Sequence, residues 1–139
     1  LVRFLAREVA QEAVGIDINC NAIHEEFPAF AGDGPRTARC LELDAQQMDE
    51  WGDGGFDAAV SVHSLHEIAD PDAALRELLR VLKPGGTLLI ADFTEGETRW
   101  DEDYFTVVEA EAMVRSAGFD EVMADRVPGE HFMFVTARK

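Results

Sequence analysis

Basic residues are scarce in this 139-residue sequence, where 12 lysines and arginines stand against 28 aspartates and glutamates. The formal net charge is −16, only Lys83 and Lys139 are lysines, and the arginines form no basic stripe. Because a negative field repels phosphate backbones, the composition argues against a nucleic-acid partner and favours a small-molecule substrate. The same acidity is also typical of a highly soluble surface or a salt-adapted host, with no bearing on chemistry.

Cysteines are few, and long apolar runs are absent. Cys20 and Cys40 are the only cysteines and form no CxxC pair, whereas a disulfide framework in a domain of this size uses more of them. We therefore expect two reduced thiols and a cytoplasmic protein. No uninterrupted apolar run reaches the length of a membrane-spanning helix, so no membrane partner is expected. The length predicts a single domain over residues 1–139.

Two apolar runs, at residues 13–18 and 56–62, lack polar alternation and predict parallel strands that are buried on both faces. Asp70 fits the N-cap and Pro71 the first position of a helix that continues through ALRELLRVL. The sequence KPGG ends that helix, and a strand over 87–93 follows. Strands that alternate with helices predict the α/β fold class.

The C-terminal part of the sequence predicts one more helix and a hairpin. Thr106 and Glu109 form a capping box for a helix that ends at Gly118. Strands at about 121–127 and 132–137 flank a Pro-Gly turn and would add one antiparallel strand to a mostly parallel sheet. The other predicted elements are helices over 1–11 and 19–30 and a strand over 39–43.

Four segments, in this order, resemble one protein family: VGIDIN, the step Leu43-Asp44-Ala45, FDAAVSVHSLHEIADPDAALRELLRVLKPGGTLLIADF, and AEAMVRSAGFDEV. They are similar to the class I S-adenosylmethionine-dependent methyltransferases, especially the branch that includes the ubiquinone and menaquinone biosynthesis C-methyltransferases. The resemblance covers nearly the whole chain. It implies a Rossmann-like, mostly parallel sheet with helices on both faces and a C-terminal antiparallel hairpin. It also implies S-adenosylmethionine as the cofactor and methyl transfer to a small-molecule acceptor.

The resemblance assigns cofactor contacts to five residues. Asp17 would accept the two ribose hydroxyls, and Ile18 would pack on the adenine. Asp44 would accept from the adenine amino group, the backbone of Ala45 would meet a ring nitrogen, and Ser61 would approach the methionine portion. Each polar residue also has a structural interpretation: Asp17 as an N-cap, Asp44 as the cap of a short turn, and Ser61 as a small residue in a crowded sheet.

His66, in the sequence LHEI, is the candidate general base, because it follows a strand at the mouth of the predicted crevice and imidazole titrates near neutral pH. A structural role for His66 is the alternative, and His63 is a weaker candidate. Glu67 replaces the second histidine of the common family pattern LHHV. Trp100 and Tyr104 are candidates to line an acceptor pocket. The histidines and cysteines show no metal-ligand spacing, so no metal is expected.

The glycine-rich turn of this family, roughly GxGxG, is absent from the sequence. Because residues 1–11 resemble the helix that follows that turn, we expect an N-terminally incomplete methyltransferase domain. A homodimer is expected if a neighbouring molecule supplies the missing strand. The alternative function is a non-enzymatic methyltransferase-like domain for binding or assembly. A nicotinamide-dinucleotide oxidoreductase is a third hypothesis, disfavoured because no Tyr-xxx-Lys pair is present.

Overall fold

The computed structural model describes residue 5 and residues 12–19, 37–95 and 102–139. The chain divides into two compact units, Leu1–Ala45 and Gln46–Lys139. The predicted helices over 1–11 and 19–30 lie outside the described residues, apart from the helical Leu5 and from Asn19 in a turn. A single domain over the whole chain stays a prediction. No helix in the described ranges is long and apolar enough to cross a membrane.

The first unit contains a parallel pair of strands, β1 (Glu12–Asp17) and β2 (Thr37–Glu42). The register places Glu12 opposite Thr37 and Asp17 opposite Glu42, so the two strands end at the same edge. Ala13 is the one buried residue of β1. The prediction that this strand is buried on both faces is therefore wrong, since Val14, Gly15 and Ile16 are half-buried and the two end residues are exposed.

Cys40 lies in β2 and is disulfide-bonded. The prediction of a reduced thiol is wrong for this residue. The prediction relied on sequence spacing, whereas a disulfide depends on how closely the fold brings two Cα atoms together. Cys20 lies outside the described residues.

The elements of the second unit are β3 (Phe56–Val62), a 3-10 turn (Leu65–Glu67), α1 (Pro71–Val81), β4 (Leu82–Phe93), α2 (Val107–Ser116), β5 (Asp120–Arg126) and β6 (Phe132–Arg138). The four strands form a sheet in the order β3-β4-β6-β5. Strands β3 and β4 are parallel, and β6 is antiparallel to both β4 and β5, so β6 alone runs against the other three. This sheet confirms the α/β class, the mostly parallel direction and the C-terminal hairpin.

One hydrophobic core joins this sheet to both helices. Alternate residues of β4 and β6 point into it, including Leu88, Ile90 and Val135. Leu75 of α1 and Val114 of α2 complete the contact, and all five side chains are fully buried. Burial of each such side chain contributes about 1.5–3 kcal/mol to the free energy of unfolding. The core therefore holds the C-terminal end of β4 in place.

Both predicted helix starts are confirmed. The Asp70 side chain accepts a hydrogen bond of 2.9 Å from the Ala73 backbone N–H, and Pro71 occupies the first turn of α1. Thr106 and Glu109 form both hydrogen bonds of the capping box at the start of α2. Local side-chain chemistry therefore determines where these helices begin.

The KPGG segment forms an excursion within β4, which begins earlier than predicted. Phe56 pairs with Leu82 and Ala58 pairs with Thr87, so the residues between Leu82 and Thr87 bulge out of the ladder. Gly86 belongs to this bulge, and a Cβ added there would lie 2.9 Å from the Lys83 carbonyl oxygen. Glycine is therefore required at this close approach.

Strand β3 is more exposed than its sequence predicts. None of its seven residues is buried, and Val62 at its end is exposed. Among the described residues β3 pairs with β4 alone, so one edge of the strand has no described neighbour. The predicted burial on both faces is wrong, because burial depends on the elements that pack over each face, which sequence periodicity does not report.

Hydrogen bonds from Arg80 connect α1 to the segment that precedes β3. Its guanidinium donates hydrogen bonds to the carbonyl oxygens of Met48 and Trp51 and to the carboxylates of Asp53 and Glu77, at 2.7–3.0 Å. Glu77 also accepts a 2.8 Å hydrogen bond from the Met48 backbone N–H. The hydrogen bond from Arg80, followed by the one from Met48, lowers the pKa of Glu77 against the opposing effect of burial.

Candidate active site

Two acidic residues lie at the carboxyl end of the two-stranded sheet. Asp17 is the last residue of β1, and Asp44 comes two residues after the end of β2. The Leu43 backbone N–H donates a 3.0 Å hydrogen bond to the Asp17 carbonyl oxygen, which holds the two strand ends together. The carboxyl ends of parallel strands are the usual ligand-binding edge of an α/β sheet.

The surroundings of Asp17 fit both of its predicted roles. Its carboxylate accepts a 2.9 Å hydrogen bond from the Asn19 backbone N–H, which is the contact expected of a cap. Its neighbour Ile18 is 76% exposed, a large apolar surface beside an exposed acid. Asp44 and Ala45, which follow β2, lie at the same edge, and the contacts of these four residues with an adenosine stay predictions.

In the second unit, His66 is paired with Asp92. His66 belongs to the 3-10 turn, which the buried Leu65 anchors in the core, and Asp92 lies near the end of β4. The His66 Nδ1 atom is 2.9 and 3.0 Å from the two carboxylate oxygens of Asp92. The side chains are only 3% and 1% exposed, respectively. A buried carboxylate needs such a partner, because an uncompensated charge in the interior is strongly unfavourable.

This pairing determines which nitrogen of His66 is available for chemistry. A carboxylate accepts hydrogen bonds, so Nδ1 carries the proton, and in the neutral ring Nε2 holds a lone pair. Nε2 is buried and makes no hydrogen bond to any described residue. It lies 3.3 Å from a carboxylate oxygen of Glu102, which is within ion-pair distance but without hydrogen-bond geometry.

Glu102 and Tyr104 approach His66 from the segment before α2. The Tyr104 hydroxyl donates a 2.5 Å hydrogen bond to Glu102 Oε2, and its ring packs on His66 with the centroids 4.6 Å apart. The Tyr104 hydroxyl lowers the pKa of Glu102, burial opposes it, and the nearby His66 lowers it further. Glu102 is therefore ionised at neutral pH. The prediction that Tyr104 lines a site in this region stays a prediction, and Trp100 lies outside the described residues.

His63 completes the cluster, and its backbone is strained. Its φ angle is 51°, in the left-handed region that a non-glycine residue rarely adopts. Its ring contacts His66 and Phe93, each at a centroid distance of 4.9 Å. The Ala91 carbonyl accepts a 2.8 Å hydrogen bond from the His63 backbone N–H, which holds this conformation in place. Strain of about 1–3 kcal/mol is typically found at functional sites.

Ser61 is half-buried near the end of β3, and its hydroxyl lies 2.9 Å from that of Ser64. This contact fits a structural role and leaves its predicted role toward the methionine portion untested. Asp17, Ile18, Asp44 and Ala45 belong to the first unit, whereas Ser61 and His66 belong to the second.

Sequence reasoning missed Asp92 and Glu102. Asp92 carried a signal, because it is an acid within the buried run LLIADF, where an unpaired charge is not tolerated. Glu102 carried none, because it belongs to an acidic segment in which solvated carboxylates are common.

The buried hydroxyl of Thr94, one residue after β4, holds the end of the segment that contains Glu102. Thr94 is 1% exposed, and its hydroxyl donates a 2.9 Å hydrogen bond to the Phe105 carbonyl oxygen. The chain leaving β4 and the chain entering α2 are thereby joined beside the His66 cluster.

The sequence profile of a methyltransferase domain matches residues 1–90, which is more than half of the chain. The chain belongs to the methyltransferase domain family. This membership confirms the resemblance that the sequence motifs indicated. It also agrees with the position of Asp17 at the carboxyl end of β1.

Individual members of the methyltransferase family are similar over different shares of the chain. Phosphoethanolamine N-methyltransferase 3 of Arabidopsis thaliana is 28% identical over 148 residues, covering 98% of this chain and 29% of the relative. The ubiquinone/menaquinone biosynthesis C-methyltransferase UbiE of Idiomarina loihiensis is 40% identical over 57 residues, covering 41% of this chain and 22% of the relative. The chain thus spans less than a third of the length of these two relatives.

A solved structure with the same fold is that of the cyclase SpnF. It matches with a TM-score of 0.81 and 24% identity, covering 97% of this chain and 68% of that chain. At this identity the similarity establishes the fold alone. Assignment of a reaction to this chain therefore depends on its family membership and on the residues of its site.

Proposed function

We propose that this chain is an S-adenosylmethionine-dependent methyltransferase that acts on a small-molecule acceptor, with His66 as the general base. The buried pair of His66 and Asp92 carries the proposal, because it leaves Nε2 of His66 as a proton acceptor. Family membership supports the reaction type. The net charge of −16 supports a small molecule over nucleic acid.

Residues at the edge of the first unit would hold the adenosine part of the cofactor. Asp17 would accept the ribose hydroxyls, and the exposed Ile18 would cover the adenine. Asp44 and the backbone of Ala45 would meet the polar edge of the base, and Ser61 remains the predicted contact for the methionine portion. S-adenosylmethionine supplies a methyl group that its sulfonium already activates, so the protein has to position the acceptor and take its proton.

His66 performs the proton removal. Asp92 accepts the hydrogen bond from Nδ1, so Nε2 would take the proton of the acceptor. The cofactor would supply the methyl group, and its carbon–sulfur bond would break as the electron pair of the acceptor bonds to the methyl carbon, leaving S-adenosylhomocysteine. The imidazolium that results lies against the buried carboxylate of Asp92, which stabilises the positive charge. Tyr104 packs on the ring of His66, and the acceptor would reach the buried Nε2 by displacing Tyr104 or Glu102.

Transfer of a labelled methyl group to a panel of small hydroxyl, amine and carbon acids tests this function. We expect His66→Gln to lower kcat by roughly 100-fold, the usual contribution of a general base. The dissociation constant of S-adenosylhomocysteine should stay within about twofold, because the variant changes the proton acceptor alone. His131→Ala, a histidine outside the cluster, is the matched control and should retain both values.

Thermal shift separates the reaction classes. S-adenosylhomocysteine should raise the melting temperature of the complete protein, and nicotinamide dinucleotides should not, because only a ligand of the native state stabilises it. Stabilisation by a nicotinamide dinucleotide alone would overturn the methyltransferase proposal. Ligand binding without transfer to any acceptor would favour the non-enzymatic binding or assembly domain.

The cytoplasmic location, the oligomeric state and the glycine-rich turn stay predictions. The disulfide at Cys40 removes the argument from reduced thiols for a cytoplasmic location. Within the described ranges β1 pairs only with β2, and β3 only with β4, so each has an edge to which a further strand would add. Sedimentation of the purified chain tests the dimer, which would support strand addition from a second copy.

A further inference from the structure

Three potential metal ligands converge in the His66 cluster. One ligand atom each from His63, His66 and Glu102 lies within 4.8 Å of the others. Two imidazoles and one carboxylate form a ligand set that proteins use for Zn²⁺ and related ions. The histidines are three residues apart across the 3-10 turn, and Glu102 reaches them from the segment before α2.

The buried Nε2 atom of His66 is an independent indication of a cation. It makes no hydrogen bond to any residue that the structure describes, although its side chain is only 3% exposed. Nε2 also lies 3.3 Å from a carboxylate oxygen of Glu102, and a positive ion between these two atoms would stabilise the contact, as a proton on Nε2 would.

Groups behind the ligands have the arrangement of an outer coordination shell. Asp92 accepts from the far ring nitrogen of His66, which fixes the tautomer and increases the basicity of Nε2. Tyr104 donates to Glu102 and orients its carboxylate. Carboxylate–histidine–metal triads of this kind are a regular feature of zinc sites.

Only a modest movement would bring the ligands to coordination distance. In a tetrahedral zinc site, with metal–ligand bonds of about 2.0–2.2 Å, ligand atoms are roughly 3.3–3.5 Å apart. The separation of up to 4.8 Å must therefore decrease. The Glu102 side chain is 41% exposed and has room to move, whereas His66 is held by Asp92.

We propose that His63, His66 and Glu102 bind a divalent transition-metal ion of the zinc class, and that the bound ion blocks the general-base role of His66. This second part rests on the proposed function, because the Nε2 lone pair that would take the proton of the acceptor is the one that binds the ion. A metal ion at this position would therefore inhibit methyl transfer. Mg²⁺ and Ca²⁺, which prefer oxygen ligands, would not occupy the site.

Calorimetry with Zn²⁺ on the metal-free 139-residue chain tests the site, and Co²⁺ absorption gives a second readout of coordination. We expect one Zn²⁺ per chain and no comparable heat with Mg²⁺. His63→Ala and Glu102→Gln should each weaken Zn²⁺ binding at least tenfold. The matched controls, His131→Ala outside the cluster and Asp103→Asn beside Glu102, should bind within about twofold of the unsubstituted chain.

Circular dichroism of the metal-free variants separates loss of a ligand from loss of the fold. Weakened Zn²⁺ binding in a folded His63→Ala or Glu102→Gln chain supports the site. Equal binding by these variants, or loss of binding in His131→Ala, overturns it. If a variant fails to fold, the Co²⁺ spectrum of the unsubstituted chain decides, because the absence of tetrahedral absorption bands would overturn the site.

Activity measurements distinguish failure of the metal site from failure of the general base. Zn²⁺ should inhibit methyl transfer, EDTA should reverse the inhibition, and His131→Ala should remain equally sensitive. If Zn²⁺ fails to bind while His66→Gln abolishes transfer, the metal site alone is wrong. If Zn²⁺ binds and His66→Gln retains transfer, the general-base assignment is wrong and the inhibition it explains is withdrawn.

Discussion

Asp92 is the residue on which the chemistry of His66 depends, because it determines which ring nitrogen carries the proton. In Asp92→Asn the amide has both a donor and an acceptor, so the preference for the Nδ1–H tautomer is lost. We expect the ¹⁵N chemical shifts of His66 to move from one tautomer to a mixture, together with roughly 100-fold lower kcat. Long-range ¹H–¹⁵N NMR on labelled chain measures the tautomer without substrate.

Asp103→Asn is the control for Asp92→Asn, since Asp103 is exposed. An unchanged His66 tautomer in Asp92→Asn would show that the surrounding packing, rather than the carboxylate, orients the imidazole.

Asp17 combines two roles whose energies can be separated. If its carboxylate accepts two charge-assisted hydrogen bonds from a ribose, each contributes about 1.5–3 kcal/mol. Asp17→Ala should then weaken S-adenosylhomocysteine binding at least tenfold, which titration calorimetry on the full-length protein measures directly. Asp125→Ala, which removes an exposed acid of β5, is the control. If the affinity of Asp17→Ala is unchanged, the bond to Asn19 is the whole function of the side chain.

At the scale of elements, the contact between α1 and the segment before β3 depends on the ionisation of Glu77. The pKa of Glu77 is lowered in the folded chain, so the carboxylate contributes stability above its unfolded pKa of about 4.5. That contribution is lost as the pH falls through the folded value. We expect Glu77→Gln to lower the free energy of unfolding by about 1–2 kcal/mol at pH 7, and by less as the pH falls below 4.5.

Urea unfolding at pH 7 and at pH 3.5 measures this difference. Glu111→Gln is the matched control, because Glu111 forms an i,i+4 pair with Arg115 on the exposed side of α2. Such pairs contribute about 0.2–0.5 kcal/mol, so the control should change little. An equal loss for Glu77→Gln at both pH values would contradict the assignment to the ionised carboxylate.

The sequence predicts a helix start or a hairpin correctly where the determining side chains lie within a few residues of it. The Asp70 cap, the capping box of Thr106 and the C-terminal hairpin follow from side chains within a few residues of each boundary. The burial of β1 and β3 was predicted incorrectly, because burial depends on which strands and helices lie beside an element. Apolar composition alone does not contain that information.

The site was predictable only in part for the same reason. The LHEI motif identifies His66 as a candidate, but its partner Asp92 lies 26 residues further along the chain. The parallel register of β3 and β4, with Val62 opposite Ala91, brings the two together. Glu102 arrives from a separate segment, so the proximity of three potential ligands had no counterpart in sequence spacing.

At the scale of the whole molecule, the excess of acidic charge acts against the compact state. With a net charge of −16, self-repulsion decreases as salt shortens the Debye length from about 30 Å at 0.01 M to about 3 Å at 1 M. We expect the melting temperature to rise by several degrees as NaCl increases over this range. KCl at equal ionic strength is the control and should act equally. A falling melting temperature would show that ion pairs such as that of Arg80 outweigh repulsion.

The hydrogen bond between Thr94 and Phe105 has a consequence for how enzymes of this architecture diversify. This hydrogen bond joins the two ends of the segment that contains Glu102 and Tyr104. Closing a longer segment between fixed ends costs little, about 0.6 kcal/mol for each doubling of length. Insertions and substitutions between Thr94 and Phe105 would therefore leave the sheet and the His66–Asp92 pair intact. In the proposed methyltransferase, exchange of this segment would change the side chains beside His66 while the His66–Asp92 pair stays in place.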